Sequence, residues 1–174
     1  MSSEHKYARV EWERRFLLAR FPDKVQVTRT RRILDRYIEG TRLRLRHMSA
    51  HDGEIFKLTQ KLPVDTQGAR QGLITTIYLS RDEFGVLHKL PAKTLTKTRH
   101  SVPPFGIDVF ADALQGLVLA EAEFHSAEEA AALAAPPFAV SEVTDDSRFT
   151  GGRLVSAARE DLRRWLSEYG IDFA

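Results

Sequence analysis

The chain has 174 residues, of which 43% are hydrophobic and 29% are charged, so it is long enough to bury a sizeable core and has an ordinary globular composition. Its formal net charge of +2 excludes a polycation, and the absence of cysteine excludes disulfides and thiolate metal sites. Because no stretch reaches the roughly 18 apolar residues of a membrane span, we expect a soluble protein of the cytoplasm that does not enter a membrane.

Short strands dominate the chain from its start. Alternation of polar and apolar residues between turn residues predicts eight of them. They cover approximately residues 8–18, 31–38, 42–46, 55–62, 73–79, 94–100, 105–110 and 117–124. Eight short strands with few helices indicate a mainly β (α+β) fold, namely a closed eight-stranded antiparallel barrel. We expect one domain over residues 7–174 and a short N-terminal tail over residues 1–6.

Three helices are predicted on the surface of this barrel. Ser80 and Ser126 each stand three residues before a glutamate, which is the spacing of a capping box, so a helix should follow each serine. The first helix should turn three apolar residues inward: Phe84, Leu87 and Leu90. Apolar residues near helical spacing predict an amphipathic C-terminal helix over residues 153–169. Residues 63–70 should form a polar loop.

The strands carry charged faces. Glu11 and Glu13 lie on one face of the first strand, about 7 Å apart, a spacing that suits two oxygen donors to a hard cation. The acids collected on such faces are Glu11, Glu13, Asp108, Glu121 and Glu123. The bases on such faces are Arg15, Arg42, Arg44, Arg46, Lys57, Lys61, Lys97 and Arg99.

The direction of these faces decides the function, and both directions are physically sound. If the charged faces point to solvent, the barrel is filled by apolar residues: Trp12, Leu43, Leu45 and Leu58. If they point inward, the lumen is charged and helices must cover the apolar faces. The third strand favours the inward arrangement, because its three arginines repel each other unless an anion neutralises them. Four of the five acids also cluster in the first and last strands, which are neighbours in a closed barrel.

Six short motifs follow each other along the chain. They are Glu11-x-Glu13-x-Arg15, Arg42-Leu-Arg44-Leu-Arg46, Lys97-Thr-Arg99, Ile107-Asp108-Val109-Phe110, Glu121-Ala-Glu123-Phe124 and Val143-Thr-Asp145-Asp146-x-Arg148-Phe149. In this order they resemble the CYTH domain, or triphosphate tunnel metalloenzyme, family over about residues 7–154. The resemblance implies a β-barrel tunnel, open at both ends, that binds triphosphate compounds with a divalent metal. Members include inorganic triphosphatases, thiamine triphosphatases, RNA 5′-triphosphatases and class IV adenylate cyclases.

The resemblance also implies roles for the charged residues. Magnesium or manganese would be bound, and catalysis supported, by Glu11, Glu13, Glu121 and Glu123. Asp108 would be a further metal ligand or would orient its neighbours. Phosphate oxygens would be bound by Arg42, Arg44, Arg46, Lys57, Lys61, Lys97 and Arg99. Arg15 would either bind phosphate or fix Glu11 and Glu13.

Three departures from the family pattern bear on activity. The family usually has Lys where this chain has Arg15, and related triphosphatases can have Glu where it has Arg42. Many catalytic members carry a glutamate on the fifth strand, whereas this strand reads Leu73-Ile74-Thr75-Thr76-Ile77-Tyr78. Arg15 keeps the charge of the lysine, whereas the other two departures make the lumen more basic and less acidic, which favours binding over turnover.

Two functions follow from these observations. The first is metal-dependent hydrolysis of inorganic triphosphate or another small triphosphorylated compound. The alternative is a binding module for polyphosphate, a nucleotide or a phosphorylated metabolite, with little turnover. An interior channel admits an RNA 5′ end but no duplex, and the sequence leaves a homodimer open.

Overall fold

An antiparallel sheet forms most of the computed structural model, which describes residues 6–62 and 70–172. Its strands, in chain order, are β1 Arg9–Leu18, β2 Arg29–Ile38, β3 Leu43–Ala50, β4 Gly53–Leu62, β5 Arg70–Leu79, β6 Ala92–Val102, β7 Phe105–Phe110, β8 Val118–Phe124 and β9 Ser141–Glu142. The α-helices are α1 Arg81–Leu87, α2 Ala127–Ala132, α3 Gly151–Leu154 and α4 Arg159–Ser167. Within these two ranges, no helix is long and apolar enough to cross a bilayer.

Eight strands close into a barrel in the order β5-β4-β3-β2-β6-β7-β8-β1, and β1 then pairs with β5. β1 changes partners along its length: residues up to Trp12 pair with β5, and residues from Trp12 onward pair with β8. The register shifts between Glu11 and Trp12, as at a β-bulge. The two-residue β9 pairs with the far end of β1. The predicted closed antiparallel barrel of eight strands is confirmed.

The lumen is apolar at one end. By alternation, Leu17 shares the inner face of β1 with Arg15, and it lies opposite Leu119 of β8. Both leucines belong to a buried apolar cluster that extends into the C-terminal segment through Val143, Phe149, Leu154, Leu162 and Leu166. The C-terminal helices therefore pack across this end of the barrel and give the lumen an apolar floor, so the barrel is not open at both ends as the resemblance implies.

A second apolar cluster covers the outside of the same strands. Phe16 and Leu18 of β1 point away from the lumen and pack with Ile107 of β7 and Ala120 of β8. The chain that follows α2 lies against this cluster through Leu133, Phe138 and Ala139. Both faces of β1 are thus buried at this end, which fixes the strand that carries two of the predicted acids.

The helix starts agree with the sequence, but the predicted packing of the first helix is wrong. The hydroxyls of Ser80 and Ser126 accept hydrogen bonds from the N–H groups of Glu83 and Glu129, as the capping spacing predicts. α1, however, contains no buried residue, and Leu90 beyond its end is 41% exposed. The predicted inward residues Phe84, Leu87 and Leu90 therefore do not enter the core. The ring of Phe84 instead contacts His47 and Phe56 on the outer face of β3 and β4.

The predicted single helix over residues 153–169 is also wrong. The chain forms the short α3 and then, after a break, α4, whose first turn is fixed by a hydrogen bond of 3.2 Å from the Ala158 N–H to Asp161. Leu154 and Leu162 face the same apolar cluster, so the apolar spacing continues across the break. The predicted tail over residues 1–6 and loop over residues 63–70 lie outside the described residues, except for Lys6 and the backbone of Arg70.

Candidate functional site

A cavity of about 560 Å³ lies in the barrel. The structure brings eleven of the thirteen predicted site residues to its wall: Glu11, Glu13, Arg15, Arg42, Arg44, Arg46, Lys61, Lys97, Arg99, Glu121 and Glu123. Leu45 does not line the cavity and is buried on the opposite face of β3, while Leu43 lies on the cavity wall near Arg42. The charged faces of the strands therefore point inward.

Asp108 and Lys57 are the two predicted site residues that do not line the cavity. The side chain of Asp108 is 0% exposed and lies behind the wall, where it accepts hydrogen bonds from Arg99 at 2.7 and 2.6 Å and another from Lys97. Its contacts favour the orienting role over direct metal binding, because its oxygens already hold two cations. The ammonium of Lys57 lies 4.9 Å from the centre of the Tyr78 ring.

One wall of the cavity is acidic. In the pairing of β1 with β8, Glu13 lies opposite Glu123 and Arg15 lies opposite Glu121. Burial and the nearby Glu121 raise the pKa of Glu13 to about 7. Burial also opposes ionisation of Glu121, but Lys97 and the neighbouring arginines outweigh it and lower the pKa of Glu121. Glu121 and Glu11 thus disfavour the charged form of Glu13, and a bound cation would offset that repulsion.

The arginines of β3 meet an acid that the sequence analysis left without a role. Asp35 of β2 is 1% exposed and accepts hydrogen bonds from Arg46 Nε at 2.6 Å and Nη2 at 2.7 Å. Arg44 Nε lies 3.8 Å from the same carboxylate. Burial opposes the charge on Asp35, but the two arginines lower its pKa to about 2. The expectation that this strand remains repulsive until an anion binds is therefore wrong for Arg46. The signal for this contact was the antiparallel pairing of β2 with β3, which places Asp35 directly opposite Arg46.

Arg15 connects the acidic wall to the segment after β9. Its Nη2 donates to the carbonyl of Thr144 at 2.8 Å, and its Nη1 donates to the carbonyl of Phe149 at 3.3 Å. Its Nε lies 3.5 Å from Glu13 Oε1. Since the guanidinium is 5% exposed, these contacts favour the second predicted role for Arg15, which is to fix the glutamates of β1.

The cavity also has residues for which the sequence analysis predicted no role. Tyr37 of β2 and Lys93 of β6 line it, together with the chain around α3. Burial and Asp35 raise the pKa of Tyr37 to about 12, so its hydroxyl stays protonated at neutral pH. Lys93 Nζ donates to Ser156 Oγ at 3.0 Å. In the sequence, the signal that Lys93 faces the cavity was its place on the same strand face as Lys97.

The donor chemistry of the acidic wall fits a hard divalent cation. Four glutamates on the paired strands β1 and β8 offer carboxylate oxygens, the ligands that Mg²⁺ and Mn²⁺ prefer. Among residues 6–62 and 70–172, however, no three carboxylate or imidazole groups are close enough together to hold a metal ion. A cation would therefore have to draw these side chains together.

A closed antiparallel barrel with an acidic wall facing arginines and lysines defines a class of barrel proteins with a charged lumen. The chain is 33% identical over 152 residues to the inorganic triphosphatase of Nitrosomonas europaea (strain ATCC 19718 / CIP 103999 / KCTC 2705 / NBRC 14298), an alignment that covers 83% of this chain and 95% of that protein. The chain belongs to the family of this triphosphatase. No protein-family model matches it, so the CYTH domain name remains a prediction.

Solved structures agree with this relationship. The hypothetical protein NE1496 is 30% identical with a TM-score of 0.55, and the match covers 85% of this chain and 99% of that one. A crystal structure of the inorganic triphosphatase NE1496 is 27% identical with a TM-score of 0.54, over 84% of this chain and 95% of that one. The PH1819 protein from Pyrococcus horikoshii OT3, at 17% identity and a TM-score of 0.51 over 93% and 91% of the chains, shares the fold.

Proposed function

We propose that the protein hydrolyses inorganic triphosphate, or another small triphosphorylated compound, with Mg²⁺ or Mn²⁺ in the lumen of the barrel. The observation that carries this proposal is one cavity with four glutamates on one wall and arginines and lysines on the others. The activity named for the 33% identical relative supports it.

The cations of the cavity divide into two groups by their contacts. Arg46, Lys97 and Arg99 are held by the buried carboxylates Asp35 and Asp108. Such fixed cations stabilise charge that develops on a phosphoryl group without having to reorganise. Arg44 is different, because its Nε lies 3.8 Å from Asp35, so the buried carboxylate does not hold it by a hydrogen bond. Together with the exposed Arg42 it has donors available for phosphate oxygens, which a guanidinium binds well.

The four glutamates of β1 and β8 would hold the divalent cation. When bound, that cation would neutralise phosphate oxygens and favour attack of water on a terminal phosphorus. The protein contributes position: the fixed Lys97 and Arg99 line one side of the phosphate chain, and Arg15 keeps Glu13 in place from behind. No covalent intermediate with the chain is required.

The alternative is a binding protein with little turnover, and the fifth strand favours it. The inner face of β5 carries Ile74 and Thr76, and the Thr76 hydroxyl lies 3.0 Å from that of Thr59. If a fifth-strand acid normally positions the attacking water, its absence leaves a cavity that binds a triphosphate and hydrolyses it slowly.

Phosphate release separates the two functions. We would measure it from triphosphate, ATP and thiamine triphosphate, with and without Mg²⁺ or Mn²⁺, alongside calorimetric binding of triphosphate. We expect metal-dependent release by the wild type. Glu123→Gln should lose hydrolysis and retain anion binding, because the amide keeps the shape of the side chain but removes one negative charge.

Glu160→Gln is the matched control, since it removes the same charge from the exposed start of α4. Triphosphate binding without release by the wild type would establish the binding alternative. Wild-type rates in Glu123→Gln would show that the acidic wall is not a catalytic metal site.

A further inference from the structure

Lys61 makes an ion pair within the acidic wall itself. Its Nζ lies 2.7 Å from Glu11 Oε2, although Lys61 belongs to β4 and Glu11 to β1. β5 lies between these strands, and its residue opposite Glu11 is Gly72. Because Gly72 has no side chain, the long lysine can reach over β5 to the glutamate.

The charge of Lys61 acts on more than one acid. It opposes the rise in the pKa of Glu13, and it is among the cations that lower the pKa of Glu121. The ammonium therefore contacts Glu11 and acts electrostatically on Glu13 and Glu121, which are three of the four glutamates proposed to hold a divalent cation.

Lys61 is also more exposed than the other ion-paired cations of the cavity. Its side chain is 43% exposed, whereas those of Lys97 and Arg99 are 7% and 18% exposed and are held by the fully buried Asp108. Lys61 can thus leave its partner at a small cost, because the chain has room to turn and the ammonium can remain hydrated.

We propose that Lys61 is an internal counter-ion, which neutralises the acidic wall when no divalent cation is bound and turns to the phosphate chain when one binds. This inference rests on the proposed function. The divalent cation and the ammonium compete for Glu11, so binding of the cation releases Lys61 into the cavity. A triphosphate that attracts Lys61 uncovers Glu11 in turn. By linkage, each ligand then raises the affinity for the other by the same factor.

The test measures the two ligands separately. Lys61→Met removes the ammonium and keeps the length of the side chain. Titration of the wild type and the variant with Mn²⁺ alone, by calorimetry and electron paramagnetic resonance, should show about tenfold tighter binding by the variant, the scale of one charged hydrogen bond. Triphosphate without metal should bind at least tenfold more weakly to the variant. Lys61→Gln should change the Mn²⁺ affinity in the same direction.

Lys93→Met is the matched control, because Lys93 lines the same cavity but donates to the hydroxyl of Ser156 and not to a carboxylate. Its Mn²⁺ affinity should stay within about twofold of the wild type, well below the tenfold effect expected at Lys61. Unchanged Mn²⁺ affinity in both Lys61 variants would overturn the counter-ion role and leave triphosphate hydrolysis standing. If the wild type releases no phosphate but both Lys61 variants bind Mn²⁺ more tightly, the counter-ion role is supported and hydrolysis is refuted. Absence of Mn²⁺ binding to all of these proteins would overturn both.

Discussion

The carboxylate of Asp35 accepts two hydrogen bonds from Arg46, at 2.6 and 2.7 Å, inside the barrel. Arg44, two residues earlier on β3, reaches the same carboxylate only at 3.8 Å. Two arginines of one strand face therefore differ in role: Arg46 neutralises a buried acid by two hydrogen bonds, and Arg44, which makes no hydrogen bond to that acid, is proposed to bind a ligand.

Substitution of each arginine should separate these roles. Arg46→Ala leaves Asp35 buried without its main partner, so the free energy of unfolding should fall by about 3–5 kcal/mol. Arg44→Ala should cost much less stability but weaken triphosphate binding by about 1.5–3 kcal/mol. Urea unfolding and calorimetry measure the two effects. Equal losses of stability in both variants would contradict the division.

We expect that position 151 tolerates only glycine, because the Tyr37 side chain leaves no room for a larger residue. A methyl group at this position would overlap the hydroxyl of Tyr37, whereas one at Gly152 meets no described atom within 4 Å. Gly151→Ala should therefore lower the free energy of unfolding by about 1–3 kcal/mol, as overpacking does, and Gly152→Ala should not. Adding Tyr37→Phe to Gly151→Ala should restore part of the loss, and failure to do so would place the strain elsewhere. Thermal or urea unfolding checks all three.

Arg15→Lys tests why this chain departs from the pattern expected of the CYTH family. A lysine supplies one compact ammonium and cannot bridge the carbonyls of Thr144 and Phe149 as the guanidinium does. We expect the free energy of unfolding to fall by about 2 kcal/mol, the scale of one hydrogen bond to a charged group. Triphosphate affinity should be unchanged, because the guanidinium is already occupied by the carbonyls of Thr144 and Phe149 and by Glu13. A tenfold loss of affinity on calorimetry would instead assign Arg15 to the phosphate.

Glu13 should make the metal-free protein less stable at higher pH. Its pKa is about 7 in the folded barrel against an ordinary 4.5, so the folded state keeps a proton that the unfolded chain releases between these values. The stabilising contribution of this proton is complete below pH 4.5 and is lost as the pH rises through 7. With EDTA present, the free energy of unfolding of Glu13→Gln should therefore exceed that of the wild type by about 3 kcal/mol at pH 8 and by little at pH 4. Unfolding curves across this range measure the difference, and a difference that does not change with pH would refute the shift.

Alternation along the strands was sufficient to predict which charged residues share a face of each strand. A period of two is fixed by the pleat, so Arg44 and Arg46 share one face of their strand, but whether that face points into the barrel depends on the register, because a shift of one residue turns every side chain to the other face. However, alternation does not predict how deeply a side chain is buried or with which residue it forms an ion pair. Asp108 lies behind the wall because Lys97 and Arg99 pair with it, and the Asp35–Arg46 pair depends on the register between β2 and β3. Neither can be read from one strand.

The end of the chain shows a second limit of prediction from sequence. The apolar spacing from Leu154 to Leu166 predicts one helix, yet α3 and α4 are separate. Both pack on the cluster that closes one end of the barrel, so burial selects the same residues with or without the break. A hydrophobic pattern predicts which residues are buried. It does not predict a break in the helix when the same residues stay buried on both sides of the break.

Thr76 is the position at which catalysis and binding are distinguished most directly. It lies on the inner face of β5 beside Thr59, where we predict that catalytic relatives place an acid. Thr76→Glu should raise the rate of metal-dependent phosphate release from triphosphate if that acid is what the chain lacks. Thr76→Gln is the control, because it gives a side chain of the same size, loses the same contact with Thr59 and adds no charge. An equal rise in both variants would assign the effect to the lost hydroxyl pair, and no rise in either would mean that other residues already position the water.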